Sequence, residues 1–384
     1  MKVGIAALVL AYVLSQFYRV FLAVLAPALQ VDIGVSVDDL ARASGLWFLS
    51  FALMQFPVGW ALDRIGPRAT ASVLLAVGGG GGALIFAGAS GPAGIEAGMA
   101  LIGVGCSPVL MASYYLFGRM YPPAVFGMLA GAMIGLGGIG NLGGSVPLAM
   151  AVAAFGWRAT VLGLALVTGV VAVLVGVFVG NPPGVAEAGP KGAFRDVLRL
   201  RALWFILPMM AATYGPAVAV RGLWVGPYLA ETYGADATGI GRAAMGMAVA
   251  MIAGNFAYGA ADRWFGSRKP VVMAGTLAGA AAFAALALWP GMGQAPVTLL
   301  LALLGFMGAS FSAIMAHGRA FLPPHLLGRG VTLINFFGIA AAGLMQAASG
   351  PLQSFGGFPM LFGFFTVLLL VGCCLYACAE ERTG

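Results

Sequence analysis

The chain has 384 residues, 61% of them hydrophobic and only 8% charged, with a mean hydropathy of +1.00. A soluble domain carries about 25% charged residues, so this composition excludes an ordinary globular enzyme and describes a polytopic membrane protein. The net charge of +7 does not mark a nucleic-acid binder, because the basic residues fall in short loops between apolar runs, where they set topology.

Twelve apolar runs follow one another, at 5–29, 43–62, 69–90, 94–117, 126–153, 158–180, 203–229, 239–260, 270–290, 295–317, 329–352 and 358–379. Each is about 20 residues or longer, the length that crosses a bilayer as a helix. The first begins like a signal peptide but runs on past Arg19 without a clean small-residue cleavage site, so it reads as a retained span. The widest polar gap, 181–202, separates six runs from six. The expected fold is therefore an all-α polytopic membrane protein with twelve transmembrane helices in two six-helix bundles. Residues 1–180 form the N-terminal bundle, 181–202 a cytoplasmic linker and 203–384 the C-terminal bundle. FRDVLRLRALW within the linker has the look of a short surface helix.

Placing both termini in the cytoplasm puts fourteen Lys and Arg residues, from Lys2 to Arg382, on that side. Arg42, Arg158 and Arg242 fall on the other side, and Arg19 and Arg221 inside the membrane, which completes the 19. The positive-inside rule thus sets the orientation and an inner-membrane location. Cys106, Cys373, Cys374 and Cys378 lie in apolar runs without metal-finger spacing and read as packing residues; no cofactor or metal is expected.

The halves echo one another. VGWALDRIGPR (58–68) after the second run is matched by YGAADRWFGSRK (258–269) after the eighth. GRMYPPAVFG (118–127) is matched by GRAFLPPHLLG (318–328). Repeated halves with the site near mid-membrane describe a transporter. GWALDRIGPR resembles the loop signature G-x-x-x-D-R-x-G-x-R of the major facilitator superfamily, and the resemblance extends over all twelve runs. It implies two six-helix bundles rocking about a central cavity by alternating access. Asp63, Arg64 and Arg68, with Asp262 and Arg263 of the weaker second copy, are the expected gating residues.

The substrate is sought among intramembrane polar groups. An arginine at the bilayer centre costs about 2.5–3.5 kcal/mol on insertion scales and is a functional-site candidate by default. Arg19 precedes Asp63 by 44 residues and Arg221 precedes Asp262 by 41, so the two occupy nearly equivalent places in the first helix of each half. None of the twelve acids lies deep in a run; Glu96 sits at a rim. The pair resembles the arginines of the organophosphate/phosphate antiporters, which use one in each of those helices, and points to a small anionic solute held by bidentate bonds. Gln55 and Asn255 are a second symmetric pair, standing where the nitrate/nitrite porters carry arginine. GLGGIGNLGG (135–144) resembles the glycine signature of those porters, with Asn141 read as a packing residue. The fourth-run arginine of many drug/proton antiporters falls near Met99 and is absent. Tyr18, Tyr114, Tyr115, Tyr214 and Trp224 complete the candidate substrate wall, and Tyr228 lies nearby. His317 is a weaker proton-linked or anion-binding candidate, and His325 lies in the loop that follows.

The sequence leaves three other readings open. One is an exporter of amphipathic compounds with structural arginines. Another is a Cu(I) carrier using Met245, Met247, Met251, Met315 and His317. The last is a non-transporting membrane receptor. The carrier is expected to act as a monomer in the lipid bilayer, without enzymatic activity or a nucleic-acid partner.

Overall fold

The computed structural model describes residues 2–182, 194–265, 267–323 and 326–381, with side chains excepted at 123–128, 194–195, 262–263, 265 and 327–329. The side chains of Asp262 and Arg263, most of the 181–202 linker, and His325 therefore lie outside the described residues. Described secondary structure is helical throughout. Nine helices are long and apolar enough to span a membrane, and the bent pair Lys2–Tyr18 and Phe21–Ile33 makes ten. Two of them, Leu129–Phe178 and Gly330–Ala377, are 50 and 48 residues long and each contains a reversal, at Gly156 and Gly357. Dividing them there yields the twelve spans expected from the sequence.

Both reversals need glycine. Gly156 has φ 77° and Gly357 φ 68°, a region that costs an L-residue about 1–2 kcal/mol. They are 201 residues apart, and a second pair 200 apart, Gly34 at φ 64° and Gly234 at φ 63°, closes the helices Phe21–Ile33 and Val225–Tyr233. The repeat read from the loops is thus written into the backbone as well. Other helix starts are equally local in origin. Ser36 and Asp39 form a capping box at the head of the second span, and Pro67 and Pro92 open the third and fourth, where a missing N–H costs nothing. A short helix, Phe194–Leu198, occupies the surface-helix segment of the linker.

By packing the chain forms two compact units. One holds Met1–Gly184 with Gly222–Met245, the other Val185–Arg221 with Gly246–Gly384. The seventh span, Leu203–Tyr233, is therefore shared: it leaves the second unit after Arg221. Within the first unit Gly226 packs on the main chain of Ala23, and Gly241 on Val146 and Ala149. Glycine seams hold the third span to the fourth: Gly78 meets Gly105, Gly82 meets Ile102, and Gly98 meets Phe86. Such close backbone approach replaces the hydrophobic driving force that is missing between helices in lipid. The third span widens into a π-helical stretch at Leu75–Gly80, where this seam is tightest.

Candidate substrate site and gate

Arg19 sits where the first span breaks. Helix Lys2–Tyr18 ends one residue before it, helix Phe21–Ile33 begins two residues after it, and the axes differ by 47°. Its guanidinium lies over two rings of the second span, 5.3 Å from the centroid of Trp47 and 5.0 Å from that of Phe51. The two rings stack on each other at 5.2 Å and are themselves buried. Trp47 and Phe51 are four residues apart and so share one helix face, a spacing that the sequence displays but that does not by itself point to Arg19.

Arg221 occupies the matching place in the second unit, and there too the helix is irregular. Val220–Trp224 is a π-helical turn between Leu203–Ala219 and Val225–Tyr233. Arg221 is 6% exposed, and its Nη1 contacts the thioether of Met251. π-turns inside α-helices recur at functional sites because they displace side chains and strain the ladder. Sequence spacing puts both arginines in register; it does not show that each stands at a fault in its helix.

The other candidates fall into three groups. Tyr18 and Trp224 are wholly buried. The Tyr18 hydroxyl is bonded to Thr168 Oγ1 at 2.9 Å, inside the first bundle and not on an open wall. Gln55 is buried and donates to the Phe51 carbonyl at 3.2 Å, whereas its symmetry mate Asn255 is exposed and donates to the Met251 carbonyl at 3.0 Å. Tyr114, Tyr115 and Tyr214 are half-buried; Tyr115 lies under the Arg119 guanidinium at 4.8 Å, and Tyr214 against Phe311, also at 4.8 Å.

At the loop signature, Asp63 pairs with Arg119 of the fourth span at 4.0 Å. Arg68 donates through Nε to the Gly176 carbonyl and through its backbone N–H to Asn181 Oδ1 at 3.2 Å, which ties the loop to the end of the sixth span. Gly66 of the signature has φ 95°. Arg64 is exposed. The acidic partner is legible in the sequence, but there Arg119 reads only as a topology charge. At the other end of the first unit Arg42 bridges Asp38, Asp39 and Glu96, and Asp32 accepts from Trp157 Nε1 at 3.0 Å.

The profile of the family described as Major Facilitator Superfamily matches residues 8–224, more than half of the chain. The chain belongs to the major facilitator superfamily. Several solved structures share its fold. A D-xylose–proton symporter aligns with a TM-score of 0.80 at 14% identity, covering 100% of this chain and 98% of that one. A bacterial homologue of the human lysosomal transporter Spinster, inward-facing and occupied, aligns at 0.76 and 18% identity, covering 98% and 96%. The nucleoside transporter NupG aligns at 0.74 and 14% identity, covering 99% of each chain. No curated protein matches the sequence. As a major facilitator the chain is a multi-pass transporter of a small solute and not an enzyme.

In this major facilitator His317 lies inside the helix packing. It is wholly buried, with Nδ1 bonded to the Tyr376 hydroxyl at 2.6 Å and Nε2 to the Glu380 carbonyl at 3.1 Å. Lys269 caps the same helix end by donating to the carbonyls of Ala377 and Ala379. Both ring nitrogens are thus engaged, and the Met251 sulfur of the Cu(I) reading faces a guanidinium. Among the described residues no group of three or more His, Cys, Asp or Glu is placed to hold a metal.

Proposed function

We propose that this major facilitator carries a small anion by alternating access, with Arg19 and Arg221 binding the anionic group. The observation that carries the reading is that both arginines stand at faults in their helices, a 47° break in the first span and a π-turn in the seventh. Broken and unwound helices are where transporters of this architecture expose backbone and side-chain groups to substrate. Two guanidiniums at equivalent positions offer bidentate donors to a carboxylate, phosphate or sulfonate. Asp63, Arg64 and Arg68 serve the gate at the loop-signature end, with Asp262 and Arg263 in the same role in the second half. The protein acts as a monomer in the inner membrane with both termini in the cytoplasm, by exchange or facilitated diffusion.

A second reading has its own observation. The Arg19 guanidinium is packed on Trp47 and Phe51 and that of Arg221 on Met251, contacts that also suit structural arginines in an exporter of amphipathic compounds. Counterflow in proteoliposomes separates the two. Arg19→Gln and Arg221→Gln should abolish exchange of carboxylates and phosphate esters. Anion exchange persisting in both variants, or transport of lipophilic cations alone, would reject the anion carrier.

A further inference from the structure

The third span starts without a cap of its own. Helix Pro67–Leu74 opens it, and the N-cap position is Gly66, which carries no side chain. The first N–H groups of a helix have no intrahelical acceptor, and a Ser, Thr, Asp or Asn at the N-cap ordinarily supplies one. None of these suits position 66. Its φ of 95° and ψ of 163° belong to glycine, and a β-carbon there would stand 2.6 Å from Asn181 Oδ1. The acceptor comes instead from that same Asn181, just past the end of the sixth span, which takes the N–H of Arg68 at 3.2 Å. The cap is thus supplied in trans, from 113 residues downstream of Arg68, by a side chain that only glycine at 66 leaves room for.

Further contacts bind the same elements. Arg68 donates through Nε to the Gly176 carbonyl, and a β-carbon on Gly176 would lie 3.4 Å from Ser72 Cβ. Gly4 of the first span lies against the Phe178 carbonyl, close enough that a β-carbon would overlap it. The end of the sixth span and the starts of the first and third therefore form one seat under the loop signature. The second half has a tie of the same kind, made by other groups. Ser267, the N-cap residue of helix Arg268–Leu288, donates to the Glu381 carboxylate. Lys269 donates to the Ala377 and Ala379 carbonyls at 2.7 and 2.8 Å. In each half, taken by itself, the end of the last span and the chain just past it are bonded to the start of the third span of that half.

The consequence lies in the loop that this cap holds. Asp63, Arg64, Gly66 and Arg68 all belong to the signature between the second and third spans. A loop that moves freely loses conformational freedom each time it closes against a partner surface, whereas one already held in place does not. Asn181 and the Gly176 carbonyl grip Arg68 by its backbone and its side chain at once, so the loop is fixed to the sixth span before any closure. Releasing that grip makes closure less favourable without touching Asp63 or its partner Arg119.

We infer that Asn181 is a positioning residue for the gate: by capping the third span in trans it holds the loop signature ready to close. This rests on the proposal that the Asp63 loop serves the gate. The facing state can be read without a substrate, at the opposite end of the same unit, where Gln30 and Glu231 are bonded. A Gln30→Cys/Glu231→Cys pair cross-links with a bismaleimide when that end is closed, which alternating access couples to an open gate at the signature end. The parent is the full-length protein with this pair and with the exposed thiols removed as Cys374→Ser and Cys378→Ser. Asn181→Ala should raise its cross-linking rate about twofold or more, the low end of what a lost N-cap shifts an equilibrium. Asp63→Asn should raise it likewise. Asn181→Asp keeps the acceptor and should match the parent. Asn181→Ser, a shorter acceptor, should fall between and serves if the alanine variant fails to fold. Thermal unfolding is recorded for each. Asn181→Ala that melts earlier but cross-links at the parent's rate has lost a merely structural cap; this overturns the inference, and the gate stands if Asp63→Asn still speeds cross-linking. A rise in Asn181→Ala that Asp63→Asn does not share, or that is as large in Asn181→Asp, overturns it as well. Unchanged rates in both Asn181→Ala and Asp63→Asn remove the gate reading and the inference together.

Discussion

Gly226 of the seventh span lies directly against the main-chain carbonyl of Ala23 in the first, close enough that a β-carbon would overlap the oxygen. Gln30, further along the same first-span helix, is hydrogen-bonded to Glu231. This end of the first unit is therefore closed by backbone contact at one point and a side-chain bond at another. Gly226→Val forces a shift that overpacking makes costly, about 1–3 kcal/mol. Purified Gly226→Val protein should melt earlier, and a Gln30→Cys/Glu231→Cys pair should cross-link less readily in that background than alone.

Asp63 and Arg119 make an exposed ion pair at 4.0 Å, with half of the Asp63 side chain in contact with solvent. Exposed pairs contribute about 0–1 kcal/mol, so Asp63→Asn should barely move the melting temperature. If the pair holds a gate, flux should fall far more than stability does, and Asp63→Arg combined with Arg119→Asp should recover part of it. Parallel loss of flux and stability would make the pair a structural tie.

Arg19 differs from a generic positive charge because its planar group lies over two aromatic faces while presenting a fork of donors. Lysine keeps the charge and loses both properties. Arg19→Lys should therefore weaken anion binding by about tenfold or more, one lost charge-assisted bond being worth about 1.5–3 kcal/mol. Isothermal titration against a phosphate ester checks this, and wild-type affinity in the lysine variant would show that only charge matters.

Gly156 and Gly163 test how much of the glycine content is conformational. A β-carbon added at either would meet no atom within 4 Å, but Gly156 has φ 77° and Gly163 lies in regular helix. Gly156→Ala should destabilise by about 1–2 kcal/mol, and Gly163→Ala should be neutral or stabilising by up to about 1 kcal/mol. Thermal unfolding of the two variants side by side reads the difference.

The architecture is open to reading because apolar runs and loop charges act locally, span by span. Arg19, Arg221 and the Asp63 loop can be found for the same reason: a charge in an apolar run is visible in one dimension. What composition does not supply is the second partner. Trp47 and Phe51 under Arg19, and Arg119 beside Asp63, come from helices distant in sequence. Gln16 and Gln346 escape a sequence reading because one amide in an apolar helix is unremarkable until burial shows that, among the described residues, the Gln16 oxygen and the whole Gln346 amide have no partner. Tyr18 shows the same limit: an aromatic beside an arginine reads as a cavity wall, and the Thr168 partner of its hydroxyl is not visible in one dimension. The seventh helix passing from one packing unit to the other at Arg221 has no sequence signal at all.

The two faults that carry the arginines are unlike. One is a break between separate helices, the other a widened turn within a continuous one. Repeated halves do not make the two facing states of such a carrier equal in free energy, because parallel repeats map each facing state onto itself. One facing state is therefore the more populated at rest, by the Boltzmann factor of the difference. Loading from the two sides of the membrane then proceeds at unequal rates even where the gradient is nil, and the carrier rectifies kinetically while obeying the same equilibrium. Tracer influx and efflux into an empty opposite compartment, measured in vesicles of known orientation, would differ in half-saturation concentration but agree in their ratio of maximal rate to half-saturation.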